Sequence, residues 1–237
     1  MNVIKTKDYE ALSEVVSDIL IGQLLLKPDT NICVASGDSP KKSYQLFVEK
    51  CVEKKVNTSQ LMITKLDEWC GVSSDSDMSC EKDIVDHIVN PLAICNDNYI
   101  SFKPDATDYQ LEVENVERQL QKNNLDICVL GLGRNGHLGL IEPNMTLNTK
   151  CFVSTLDELT KHHPMIDGKV NVDYGMSLGL GNLFKAKNIL LLITGDGKEA
   201  VIKDFFGGKI STQNPSSLLW LHDNLTIIIE DKYYPYE

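Results

Sequence analysis

The chain reads as an α/β protein: a Rossmann-like, mostly parallel central sheet with helices on both faces, in a single domain. Short apolar β-type runs alternate with amphipathic stretches along most of the sequence, the pattern of a parallel sheet wrapped by helices. The 237 residues are 42% hydrophobic, enough for one sizeable core. No repeat, low-complexity tract or linker divides the pattern.

In order, Asp8–Leu26 has helical apolar spacing and Asn31–Ala35 is a short β run. Pro40–Lys55 reads as a helix with Ser39 as N-cap and Pro40 at the first helical position, where its fixed φ fits. Leu61–Leu66 is a strand, Asp77–Ile94 is mostly helical, Tyr99–Phe102 is a short strand and Thr107–Lys122 is a charged amphipathic helix. Ile127–Leu130, Phe152–Leu156, Val172–Ser177, Asn188–Ile193 and Leu225–Ile229 are further strands, with a helix at Lys198–Phe206. Ligands of such sheets bind beyond the carboxyl ends of strands. The loops 36–40, 67–71, 131–143 and 195–198 are therefore expected to converge at one edge.

Charge and composition narrow the partners. With 23 Lys and Arg against 34 Asp and Glu, the formal charge is −11. An acidic surface repels nucleic acid and anionic lipid, so neither is expected as a partner. The start Met1–Lys7 lacks the apolar core of a signal peptide, and no apolar run approaches the ~20 residues of a membrane span. Seven cysteines without C-x-x-C read as reduced core thiols of a cytoplasmic protein.

The stretch Asp126–Pro143 is the most informative. A buried strand leads into Gly131-Leu132-Gly133-Arg134-Asn135-Gly136-His137-Leu138-Gly139, and Glu142 follows. Glycines let backbone approach a ligand, and a His with a Glu on such a loop suits acid–base work. Gly131, Gly133 and Gly136 also satisfy G-x-G-x-x-G, and Asp157 falls roughly where a ribose-binding acid would. That fingerprint needs a helix at the third glycine, whereas Gly139, Pro143 and Asn144 follow without helical period, so a dinucleotide is not expected.

Three other loops carry chemistry. Ser36-Gly37-Asp38-Ser39-Pro40 joins a strand to a helix, where unpaired N–H groups and two hydroxyls suit an anion. Asp67 and Glu68 stand just past a buried strand, where partial desolvation raises a carboxyl pKa and makes a better base. Gly195-Asp196-Gly197-Lys198 puts a lysine at a helix start, a position that usually prefers acids, and so points to an anionic ligand. His162 and His163 lack the i, i+4 spacing of helical zinc ligands and have no nearby Cys, so no metal is expected. Their irregular stretch, 157–171, reads as a mobile lid.

Taken together, Ser36-Gly37-Asp38-Ser39-Pro40, Leu66-Asp67-Glu68-Trp69-Cys70-Gly71, Gly131-x-Gly133-x-x-Gly136-His137 and Glu142-Pro143 resemble the glucosamine-6-phosphate isomerase/deaminase family, which includes the 6-phosphogluconolactonases. The resemblance runs from about residue 8 to residue 229. Asp-Glu-Trp, Gly-His-Leu and Glu-Pro favour its deaminase branch, and Trp69 with Asn135 resembles its galactosamine-6-phosphate subgroup.

The resemblance implies a sugar-phosphate substrate and no metal or organic cofactor. Ser36, Gly37, Ser39, Gly133 and Lys198 would bind substrate and its phosphate. His137, supported by Asn135 and Glu142, would move a proton at the ring oxygen; Asp67 would take the C2 proton and return it at C1. Two departures stand out. Asn135 occupies a position where the glucosamine enzymes usually have Asp, which removes a charge beside the histidine. The segment 157–171 has no Arg for the phosphate, so Lys161, His162 or His163 would substitute. Asn144–Ser154 offers only Lys150 as a basic residue, so no activation by an acetylated sugar phosphate is expected. A lactonase and a sugar-phosphate sensor without turnover are the rival readings. Galacto or gluco stereochemistry and the oligomeric state, a homo-oligomer included, stay open.

Overall fold

Two sheets, not one, organise the chain in this computed structural model, which describes residues 1–236. The first half contains β1 (Asn2–Thr6), α1 (Tyr9–Leu26), β2 (Asn31–Val34), α2 (Asp38–Glu53), β3 (Met62–Lys65) and β4 (Asp67–Trp69). There follow α3 (Cys80–Ile84), prolonged by a π-helical turn at Val85–Val89, then β5 (Tyr99–Ile100), α4 (Tyr109–Leu120) and β6 (Ile127–Gly131). The second half contains β7 (Phe152–Thr155), α5 (Glu158–Lys161), β8 (Tyr174–Ser177), α6 (Leu180–Phe184), β9 (Asn188–Ile193), α7 (Glu199–Phe206) and β10 (Leu225–Glu230).

The large sheet has the order β1-β10-β9-β6-β2-β3-β5, and every pairing in it is parallel. Its strands alternate between two apolar layers. Ile189, Leu191 and Ile193 of β9 pack with α4 and α7 residues such as Val113, Val116 and Phe205. Leu190 and Leu192 of the same strand pack with Leu12, Val16 and Phe47 of α1 and α2. Burial on both faces explains why these strands read as unbroken apolar runs. At the amino ends, Asp126 accepts hydrogen bonds from the Asn31 N–H, Lys27 and Lys187 and ties the starts of three strands together. None of the described helices is long and apolar enough to cross a membrane.

The expected strands at 152–156 and 172–177 form, but outside the large sheet. β7 and β8 pair antiparallel with each other, and β8 with β4, giving a three-stranded sheet in the order β4-β8-β7. Two strands escape a reading by periodicity. β1 is short and polar at both ends and is held by parallel pairing with β10. β4 is Asp-Glu-Trp, which has no apolar alternation, and owes its conformation to β8.

The start of α2 also differs from the expectation. The helix begins at Asp38 with Gly37 as N-cap, so Ser39 lies inside the first turn. Gly37 has φ +95°, a conformation glycine adopts without strain, and this lets the chain turn into the helix earlier than a serine cap would.

Candidate active site

The loops after β2, β6 and β9 meet at the carboxyl edge of the large sheet, with β4 and residues 159–164 closing the other side. Together they line a pocket of about 440 Å³. It lies where the chain departs to opposite sides, from β2 towards β3 and β5 and from β6 towards β9 and β10, the usual ligand crevice of an open parallel sheet.

Asp67 and Glu68 take opposite sides of β4. Asp67 lines the pocket, and its carboxylate makes no hydrogen bond or ion pair among the described residues. Burial, reinforced by the Glu68 charge and only partly offset by His137 and Lys65, pushes its carboxyl up to about 7. Glu68 is fully buried beneath it. Its carboxylate lies 2.7 Å from Lys65 Nζ and accepts the N–H groups of Trp69, Cys80 and Glu81. Lys65 also reaches Glu81 and the Phe102 carbonyl. Asp67 is thus the carboxyl group open to the pocket, and Glu68 belongs to a buried ion cluster beneath it.

His137 is placed by glycine. A Cβ on Gly133 would lie 2.4 Å from the His137 ring, so the ring fits only because that side chain is absent. No helix opens after Gly136; Leu138 and Ile141 instead form an isolated bridge, and the G-x-G-x-x-G spells a turn. His137 Nδ1 lies 3.1 Å from Thr160 Oγ1 on α5 and 3.6 Å from Glu142 Oε2. The latter distance is too long for a hydrogen bond. Asn135 bridges the gap: its Oδ1 accepts the His137 N–H, and its Nδ2 donates to Glu142 Oε2 at 3.0 Å. Burial raises the Glu142 carboxyl, but His137, Thr160 and Asn135 outweigh it and hold the group below the usual carboxylate range.

Lys198 and Arg134 bring cations to the pocket, which Asp38 and Asp196 also line. Lys198 caps α7, and burial together with the nearby Arg134 pushes its ammonium down to about 8. Neither Lys198 nor Arg134 makes an ion pair among the described residues. Ser36, Gly37, Ser39 and Gly133 line the same pocket. Ser36 Oγ already meets Cys80 Sγ, and the Gly37 N–H meets Asp83 at 3.3 Å, so Ser39 has the less engaged hydroxyl. Asp38 is exposed.

Lys161 does not substitute for the missing arginine of segment 157–171. It is paired with Glu158 and Asp173 at 3.0 and 3.1 Å, outside the pocket lining. His162 is held at the rim by Asp167. His163 reaches over the pocket against Trp69, with ring centroids 5.6 Å apart, but burial and the nearby His137 push it down to about 4, so it is neutral at pH 7. Arg134, which sequence reasoning passed over, is the permanent cation of this site. An arginine flanked by glycine-rich loop gives no periodic signal; the signal available was the absence of any arginine in 157–171. Among the described residues, no group of three or more His, Cys, Asp or Glu side chains could hold a metal ion.

Comparison with known proteins agrees with this architecture. AgaI of Escherichia coli (strain K12), a provisionally named deaminase, is 40% identical over 95% of this chain and 90% of its own length. A glucosamine-6-phosphate deaminase of Thermoanaerobacter sp. (strain X514) is 32% identical over 97% and 92%. The solved structure of a monomeric glucosamine-6-phosphate deaminase superimposes with a TM-score of 0.91 at 28% identity, covering 98% of each chain. A 6-phosphogluconolactonase from Trypanosoma cruzi shares the fold at a TM-score of 0.80 and 17% identity, over 98% of this chain and 95% of its own. The family model described as glucosamine-6-phosphate isomerases/6-phosphogluconolactonase matches residues 9–228, and the chain belongs to that family.

Proposed function

We propose that this protein deaminates and isomerises an amino-sugar 6-phosphate, galactosamine 6-phosphate or glucosamine 6-phosphate, to a ketose 6-phosphate and ammonia. One observation carries the reading. A desolvated aspartate and a hydrogen-bonded histidine share a pocket with the cations of Lys198 and Arg134, so a substrate anchored by its phosphate presents its other end to an acid–base pair. The deaminases among its relatives support the same reaction class.

The phosphate binds Lys198, Arg134 and Ser39. His137 takes the C1 hydroxyl proton and delivers a proton to the ring oxygen, opening the pyranose. Asp67 removes the C2 proton while the C1 carbonyl oxygen is protonated, giving an enolamine. The proton returned to C1 leaves an imine at C2, and water releases ammonia and the ketose. Proximity supplies much of the rate, since both groups are held before the substrate arrives. Residues 157–171 act as a lid, with His163 and Trp69 over the sugar. The galacto assignment rests on Trp69 and Asn135 alone.

Ammonia release from the two amino-sugar phosphates, measured side by side on chelator-treated protein, tests the reading. Release from the galacto compound alone is expected. Release from the gluco compound alone discards that assignment and keeps the chemistry. Silence on both, with a sugar lactone 6-phosphate hydrolysed or merely bound, overturns the proposal in favour of a lactonase or a sensor.

A further inference from the structure

Asn135 stands between two carboxylates. Its Oδ1 accepts the His137 N–H at 3.1 Å, and an N–H can only donate, so the amide is oriented with Nδ2 on the other side. There Nδ2 donates to Glu142 Oε2 at 3.0 Å and to Asp157 Oδ1 at 3.2 Å. Asp157 Oδ1 also accepts the Leu159 N–H at 2.9 Å and so caps α5. Thr160, on that same short helix, is buried and lies 3.1 Å from His137 Nδ1. The contacts close a ring: His137 backbone, Asn135, Asp157, the first turn of α5, Thr160 and the His137 imidazole.

We infer that Asp157 is a positioning residue. Acting through Asn135, it docks α5 on the glycine loop and holds Thr160 against the ring of His137, and position 135 must be an amide because it donates to two carboxylates at once. An aspartate at 135 still accepts from the His137 N–H. Its second oxygen, however, faces Glu142 and Asp157 where hydrogen bonds now run, and three carboxylates so placed cannot all ionise without repulsion. Glu142 is only 4% exposed, so water screens little of that repulsion. Exchanging the two side chains returns one donor to the cluster. The inference rests on the proposed function only where turnover is the readout.

The test compares wild type, N135D, D157A and the exchange variant N135D/D157N. Steady-state ammonia release and hydrogen exchange at the amides of 158–161 are measured, with circular dichroism and Tm showing which variants are folded. N135D is expected to lower kcat about 10²-fold or more, as removal of a group orienting a catalytic histidine does, with KM changed less than about threefold. Exchange at 158–161 accelerates in N135D and D157A, and N135D/D157N recovers both protection and kcat to within about tenfold of wild type. D157A adds no charge and keeps the inference open to refutation if N135D fails to fold. Wild-type exchange in D157A, or an exchange variant no better than N135D, overturns it. A wild type silent on both amino-sugar phosphates defeats the proposed reaction, and the exchange data still decide the role of Asp157.

Discussion

Asp67 and Glu68 are adjacent in sequence and opposite in environment: the first faces a 440 Å³ pocket without a partner, and the second is fully buried 2.7 Å from Lys65. Alternation along β4 separates them, and its antiparallel pairing with β8 fixes which one faces inward. A one-residue slip would turn Asp67 away from the pocket and Glu68 towards it.

Asp67→Asn is expected to reduce kcat about 10²–10⁴-fold, the range for loss of a general base. It should also stabilise the protein. A carboxyl raised to about 7 in the folded state binds protons that the unfolded chain has already lost, so stability falls as pH rises from the ordinary carboxyl range towards 7. Above pH 7 the full cost of the desolvated charge is present, and the amide removes it. Thermal unfolding at pH 8 should show Tm raised by about 2–4 °C or more, the shift for ~1 kcal/mol at this size. An unchanged kcat removes Asp67 from the chemistry.

The pH dependence of kcat/KM should have two limbs. Activity rises with pH as Asp67 loses its proton near 7, and falls as Lys198 loses its charge near 8. Lys198→Arg keeps the cation at all working pH values and should displace the alkaline limb. A limb that stays in place in the variant belongs to the substrate amine.

Arg134→Ala should raise KM for the 6-phosphate about 10–100-fold, as loss of a charged hydrogen bond worth ~1.5–3 kcal/mol does, while kcat changes little. Lys161→Ala, whose ammonium is engaged with Glu158 and Asp173, should leave KM within about twofold. The reverse pattern would move the phosphate beneath segment 157–171.

Lys65→Met leaves Glu68 fully buried with no cation. The loss of one partner from a buried ion pair costs about 3–5 kcal/mol, which denaturant unfolding would register as a lower midpoint at unchanged slope. A midpoint equal to wild type would mean that the Lys65–Glu68 pair does not stabilise the fold.

The strand–helix alternation and three of the four converging loops were legible in the sequence because the large sheet is buried on both faces and its strands are continuous apolar runs; the fourth, expected as a loop over 67–71, begins as strand β4. The division into two sheets was not. β4 consists of two acids and a tryptophan, and its strand conformation comes from a partner more than a hundred residues away. Asn135 read as a lost charge, because the carboxylate beside it, Asp157, lies 22 positions on and becomes its neighbour only once β7 and α5 are placed. Arg134 and the engagement of Lys161 were hidden for the same reason: a cation's availability depends on which acids fold next to it.

Both sheets contribute to the pocket. Ser39, Arg134 and Lys198 follow strands of the large parallel sheet, whereas Asp67, Thr160 and His163 belong to the small antiparallel one and its covering segment. Ser177 of β8 joins the halves by accepting the Leu140 N–H. Asp67 and the segment over the pocket can therefore be rebuilt with the three short strands, whereas His137 shares the loop after β6 with Arg134 and stays with the large sheet.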